Sequence, residues 1–230
     1  ADMKPNTARS ALFIATLCLA ASACGGANER AETAPSASQT PEGRLPEGVR
    51  PTSYRLSLTI IPEQKTFSGT AVIGIELDEP STTIRMHGPG LNVTALHASH
   101  ATSRIPATWE QRTSDGVARV ELQEALPAGR STLHIEYTAA FDTALRGLYR
   151  VESGGHAYAF TQFESISARL AFPCFDEPEL KANFTVAIVT RAPYHARSNM
   201  PAVSTTAYGP PGDALRITRF RPTVRMSTYL

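Results

Sequence analysis

Gln162 and Glu164 are the residues whose types and spacing could do chemistry on a ligand. They stand two apart in an extended-looking run, where a period of two puts them on one face and Phe163 and Ser165 on the other. A carboxylate beside an amide oxygen offers charge and several acceptors to a cation that carries N–H donors. Two plainer roles compete on the same residues: Glu164 could pair with Arg169, or cap the short turn that follows. Ser165 has no base near it in sequence, so a serine hydrolase reading has nothing behind it.

The pair opens a dense stretch, 161–184, TQFESISARLAFPCFDEPELKANF. Ala168-Arg169 precedes the knot Ala171-Phe172-Pro173-Cys174-Phe175-Asp176-Glu177-Pro178, and Lys181-Ala182-x-Phe184 follows it. Together with the Gln-x-Glu pair, these residues resemble the N-terminal domain of the M1 family of zinc aminopeptidases. Leu148-Tyr149-Arg150 after Gly147 is similar to that family's Gly-aromatic-Tyr-Arg element. The resemblance covers roughly 46–230. It is strongest over 147–184, and over 46–140 only the rhythm of strands agrees.

The resemblance implies a role for the pair. An aminopeptidase must hold a free α-amino group, which is largely a cation near neutral pH. In M1 enzymes the residues at these two positions bind it from the N-terminal domain, so substrate binding is expected at Gln162 and Glu164. Asp176, Glu177 and Arg169 read as structural, because Asp-Glu-Pro suits a turn whose Asp accepts backbone N–H bonds.

The resemblance also implies a zinc cofactor, held in M1 enzymes by a His-Glu-x-x-His helix and a distant Glu. The six histidines, His87, His97, His100, His134, His156 and His195, give no such spacing. His97 and His100 read as surface residues of a strand. The Gly-x-Met-x-Asn strand that grips the peptide backbone in M1 enzymes is absent as well. No catalytic or metal-binding residue is therefore expected within this chain, which alone should be inert. The zinc catalytic domain is expected as a further part of the same polypeptide, with peptides as substrates.

The remaining residues describe a carrier for that site. Lys4 and Arg9 precede an apolar stretch, 11–21, and then Ser22-Ala23-Cys24. A basic head, a short apolar centre and small residues before a cut form a secretory signal over 1–23. The stretch is too short to cross a bilayer as a helix. Small residues ending in cysteine resemble a bacterial lipoprotein site, so Cys24 is expected to be lipidated and the protein to sit in the cell envelope on a membrane anchor. Residues 24–45 are rich in Ala, Gly, Ser, Thr, Pro and Glu and read as a flexible tether.

Cys174 is then the single cysteine of the folded part, flanked by Pro173 and Phe175, and reads as a buried inert thiol. The formal net charge is +1, and removing Lys4, Arg9 and Asp2 with the signal leaves a neutral chain. That balance gives no basic field for nucleic acid.

From Pro46 the pattern alternates. Tyr54, Leu56, Leu58 and Ile60 mark one half-buried strand, and Phe67 to Leu77 a longer one. Further strands are marked by Leu133, Ile135 and Tyr137, by Phe184, Val186 and Ile188, and by Leu215, Ile217 and Phe220. Turn signals such as Asp115-Gly116 and Ser153-Gly154-Gly155 punctuate them. Many short strands without a long helical pattern predict an all-β domain over 46–230, a multi-sheet, saddle-like β-sandwich. Only 166–170 could hold a helical turn. The last residues, 225–230, read as a strand beginning. The competing function is a self-standing, envelope-anchored β-sandwich that binds peptides or a protein without catalysis.

Overall fold

The computed structural model describes residues 43–111 and 116–230. The expected signal sequence, Cys24, most of the expected tether and Asp115 lie outside the described residues. Twelve strands follow in chain order: β1 Val49–Thr59, β2 Thr66–Leu77, β3 Ser81–His87, β4 Asn92–His100, β5 Ser103–Gln111, β6 Val117–Leu126, β7 Gly129–Ala140, β8 Gly147–Ser153, β9 His156–Gln162, β10 Asn183–Arg191, β11 Ala202–Tyr208 and β12 Leu215–Phe220. Among the described residues the one helical element is a 3₁₀ turn, Ala168–Leu170. The domain is all-β, as its alternating sequence predicts.

Ten strands form one mixed sheet in the order β11-β12-β10-β1-β2-β7-β4-β5-β6-β3. Its one parallel pair is β1 with β10, Tyr54 opposite Phe184 and Leu58 opposite Ile188. The other neighbours run antiparallel. Strand β2 shows why the sheet forms. Its residues alternate buried and half-buried, so Phe67, Ala71, Ile73, Ile75 and Leu77 all point to one side. Leu133, Ile135 and Tyr137 of β7 do the same, and so do Ile84, Met86, Val120 and Leu122 from β3 and β6. These inward residues form a single cluster. Each fully buried large side chain contributes about 1.5–3 kcal/mol of transfer free energy.

Gly69 of β2 has no side chain because Tyr137 crosses over it. A Cβ at Gly69 would meet the Tyr137 hydroxyl at 2.6 Å. The ring is held there by its hydroxyl, which donates to the Ala171 carbonyl at 2.8 Å. Ala171, the first residue of the knot, is thereby fixed to the sheet.

Strands β8 and β9 make a separate hairpin, Gly147 opposite Gln162. Gly154 and Gly155 both have positive φ, 58° and 79°, as a tight two-residue loop requires. The hairpin meets the large sheet by one bridge, Asp142 to Tyr149. Gly147, at φ 62°, lies close under the 3₁₀ turn, where a Cβ would come within 2.7 Å of Leu170.

The C-terminal residues differ from expectation. Residues 225–230 do not extend as a strand. Only Met226 bridges, to Ala182, and the Leu230 N–H turns back to the Ser227 carbonyl at 3.4 Å. Side chains take over here: Ser227 donates to the Pro178 carbonyl at 2.6 Å and Thr228 to Asp176 at 2.5 Å.

Candidate functional site

The site is built where the hairpin runs into the knot. Strand β9 ends at Gln162, and Glu164 lies in the turn after it. The chain folds back because the Ser167 N–H reaches the Phe163 carbonyl at 2.8 Å. The 3₁₀ turn follows at once, with the Ala171 N–H on the Ala168 carbonyl at 2.9 Å. Strand alternation therefore stops between the two residues of the pair. Phe163 points inward instead, its ring meeting Phe172 edge-on at 5.8 Å. Gln162 and Glu164 are both exposed. Neither side chain makes a hydrogen bond or ion pair among the described residues.

The competing role for Glu164 was a pairing with Arg169. The structure spends Arg169 elsewhere. Its guanidinium and backbone turn inward to Asp176, Nε to Oδ2 at 3.0 Å and N–H to Oδ2 at 3.2 Å. Both side chains are nearly inaccessible, 9% and 1% exposed. The cap role fails as well, because no side chain caps the 3₁₀ turn. A solvent-facing carboxylate without a protein partner keeps its acceptors for something else.

A cleft of about 580 Å³ opens beside the hairpin, walled by Tyr149, Tyr158 and Phe160 on one side and Ile188, Tyr194 and Arg197 on the other. A smaller apolar recess of about 110 Å³ adjoins it, lined by Leu56, Phe163, Phe172 and Met226 among others. The pair lines neither hollow. It sits next to their walls, since Thr161 borders both and Phe163 the smaller one.

Beneath the turn lies a polar cluster that sequence reading missed. His87 is fully buried. Its Nδ1 accepts the Asp176 N–H at 3.1 Å, and its other nitrogen meets the Gly43 carbonyl at 2.9 Å. A carbonyl only accepts, so Nε2 carries the proton and the ring is neutral. Burial pushes its pKa below the usual histidine value. Glu177 accepts the Leu45 N–H at 2.6 Å, and Arg44 pairs with Glu179 at 2.5 Å. Nothing local in the sequence marks His87, whose partner is 89 residues away.

Cys174 is buried, as its apolar neighbours predict, and burial pushes its thiol pKa well up. Its backbone pairs with His87 on both sides, at 2.7 and 3.0 Å. His97 and His134 lie opposite each other on β4 and β7 and stack at 4.5 Å. His100 turns to the Arg130 carbonyl. Among the described residues no three His, Cys, Asp or Glu side chains come together as a metal site.

The Peptidase M1 N-terminal domain family matches residues 50–230. The chain belongs to this family. It is 35% identical to endoplasmic reticulum aminopeptidase 1 of Rattus norvegicus over 198 residues, 81% of this chain and 21% of that protein. It is 31% identical to aminopeptidase M1-B of Oryza sativa subsp. japonica, over 82% of this chain and 22% of the relative. It is 33% identical to glutamyl aminopeptidase of Sus scrofa, over 81% and 21%. The chain thus spans about a fifth of the length of the curated relatives it matches. The M1 N-terminal domain is the ten-stranded sheet with its hairpin and knot.

Proposed function

We propose that this M1 N-terminal domain anchors the free amine of a peptide for an aminopeptidase, with Gln162 and Glu164 as the substrate-binding residues. The observation that carries the reading is the contrast between two neighbouring charges. Arg169 is buried on Asp176, whereas Glu164 is exposed and has no partner among the described residues. A peptide N-terminus brings a cation with several N–H donors, which a carboxylate and an amide oxygen together match. An internal peptide nitrogen carries no such charge, so the pair selects chain ends. Hydrolysis of N-terminal residues would then belong to the whole polypeptide, with zinc polarising the bond from a catalytic domain of the same chain. This part supplies the amine anchor and part of the cleft wall, and alone it is inert. The export reading completes the picture: Cys24 carries lipid, and the domain faces the periplasm or exterior of a bacterial envelope on a 24–45 tether.

The test is Glu164→Ala in the full-length enzyme. A charge-assisted hydrogen bond contributes about 1.5–3 kcal/mol. Its loss lowers kcat/KM on free-amine substrates roughly ten- to hundredfold. Gln162→Ala acts in the same direction and less. Unchanged kcat/KM in Glu164→Ala would place the anchor elsewhere.

A further inference from the structure

We propose that Asp176 and Arg169 are positioning residues for the anchor turn, holding Glu164 in place through a buried residue whose carboxylate binds Arg169 and Thr228 and whose N–H binds His87. The inference rests on the amine-anchoring role proposed for Gln162 and Glu164. The convergence is geometric. Arg169, five residues after Glu164, gives Asp176 three bonds: N–H and Nε to Oδ2, and Nη2 to its carbonyl at 2.9 Å. Thr228 gives its hydroxyl to Oδ1 at 2.5 Å. The Asp176 N–H goes to His87, and through that ring the cluster reaches Gly43. Segments around residues 87, 169 and 228 thereby meet at Asp176, and residue 43 is joined to them through His87.

Such a cluster is a poor device for stability alone. Taking two charges out of water is costly, and apolar residues of similar volume often serve as well. What a buried ion pair supplies is direction, because its bonds hold only over a narrow range of angles. The turn has need of it. Residues 164–166 are exposed and touch little. On their N-terminal side Phe163 packs edge-on against Phe172, and the β8–β9 hairpin, outside the large sheet, puts Leu148 into the core. On their C-terminal side stands Arg169, whose backbone N–H is itself fixed to Asp176. Packing thus holds the start of the turn, and the directed polar bonds of Arg169 and Asp176 hold its end. A half-buried charge lies beside this cluster too: Glu177, next in sequence, is occupied by Leu45 and Arg44.

The experiment uses the full-length enzyme and two readouts. The first is discrimination between two competitive ligands, a short peptide and its des-amino analogue. The second is hydrogen exchange at the Ser167, Ala171 and Phe172 amides, compared with amides of the β2–β7 pairing. Asp176→Asn keeps the shape and removes the charge. Arg169→Lys keeps the charge and loses the fork. Thr228→Val removes one bond and serves if the other two do not fold.

The expected result is a roughly tenfold or greater loss of preference for the amine-bearing ligand, since small misplacements cost on this scale. Exchange should quicken at the turn while the β2–β7 amides hold. A purely structural role would weaken both ligands alike and raise exchange everywhere, and that result overturns the proposal. So does full discrimination with unchanged exchange. Glu164→Ala in the same assay separates the layers. If it abolishes discrimination while the three variants do not, anchoring stands and positioning falls. If it leaves discrimination intact, both fall.

Discussion

Tyr54→Phe tests whether the knot is held by polar bonds as well as by packing. Tyr54 is 1% exposed, stacked on Phe184 at 4.7 Å and edge-on to Phe172 at 6.1 Å. Its hydroxyl accepts the Phe175 N–H at 3.0 Å, joining β1 to the knot across 121 residues. Phenylalanine keeps the ring and both aromatic contacts. Only the acceptor goes, and the Phe175 N–H is left buried and unpaired. An orphaned buried donor costs about 1–3 kcal/mol. For a domain of this size each kcal/mol moves Tm by about 2–4 °C, so the expected fall is about 2–12 °C. Urea unfolding followed by circular dichroism measures the same difference as a midpoint shift at constant m. Tyr208→Phe, on an exposed ring, is the control and should stay within about 0.5 kcal/mol. Equal stability of Tyr54→Phe and the parent would refute the reasoning. It would mean that the Phe175 N–H finds another partner and that packing alone fixes the knot.

Two further outcomes are expected. Burial first, then Arg104 beside His97 and Arg55 beside His134, lower both histidine pKa values, while Glu136 pulls His97 the other way. The unfolded chain therefore takes protons first as pH falls below about 6.5, and stability declines until pH passes the lowered folded values. Tm at about pH 5.5 against 7.5 should fall less in a His97→Gln, His134→Gln double variant, and an equal fall would exclude the pair as a cause. The proposed anchor at Cys24 predicts a membrane-extracted chain that begins at Cys24 and carries added acyl mass; the same chain without that mass would remove the anchor and leave export.

The fold was legible where burial has a period. Tyr54, Leu56 and Leu58 alternate in sequence because β1 presents one face to the core, and the same holds for Phe67 through Leu77. The hairpin turn at Gly154-Gly155 was legible because two positive φ angles call for glycine. Strands β3 to β6 carried weaker signals. Strand β4 is mostly exposed or half-buried, so its residues show no clean alternation. The parallel β1–β10 pairing was not legible at all, since nothing local reports which distant strand will lie beside Tyr54. The stretch 225–230 misled because its residues carry no turn signal, while Ser227 and Thr228 in fact bond to Pro178 and Asp176.

The site divides along the same line. Gln162 and Glu164 could be singled out because the pair and the stretch around it resemble the M1 family, whereas residue type and spacing alone favoured a plain ion pair. The residues beneath them could not, because their roles are relations between distant parts of the chain. Asp176 was legible as a turn residue that accepts backbone N–H bonds, and it does accept one from Arg169. That it also receives Thr228 and passes its own N–H to His87 depends on β3, the knot and the C-terminal segment meeting in three dimensions. Moreover, Arg169 carries opposite meanings in the two views. Read along the chain, a cation five residues from Glu164 looks like its partner. In the fold it points inward to a deeper carboxylate, and this inward pairing is what leaves Glu164 facing solvent with its charge unspent. The exposed acid and the buried ion pair thus belong to one turn, and on the positioning role proposed for Asp176 and Arg169 a substitution in the pair should be felt at Glu164.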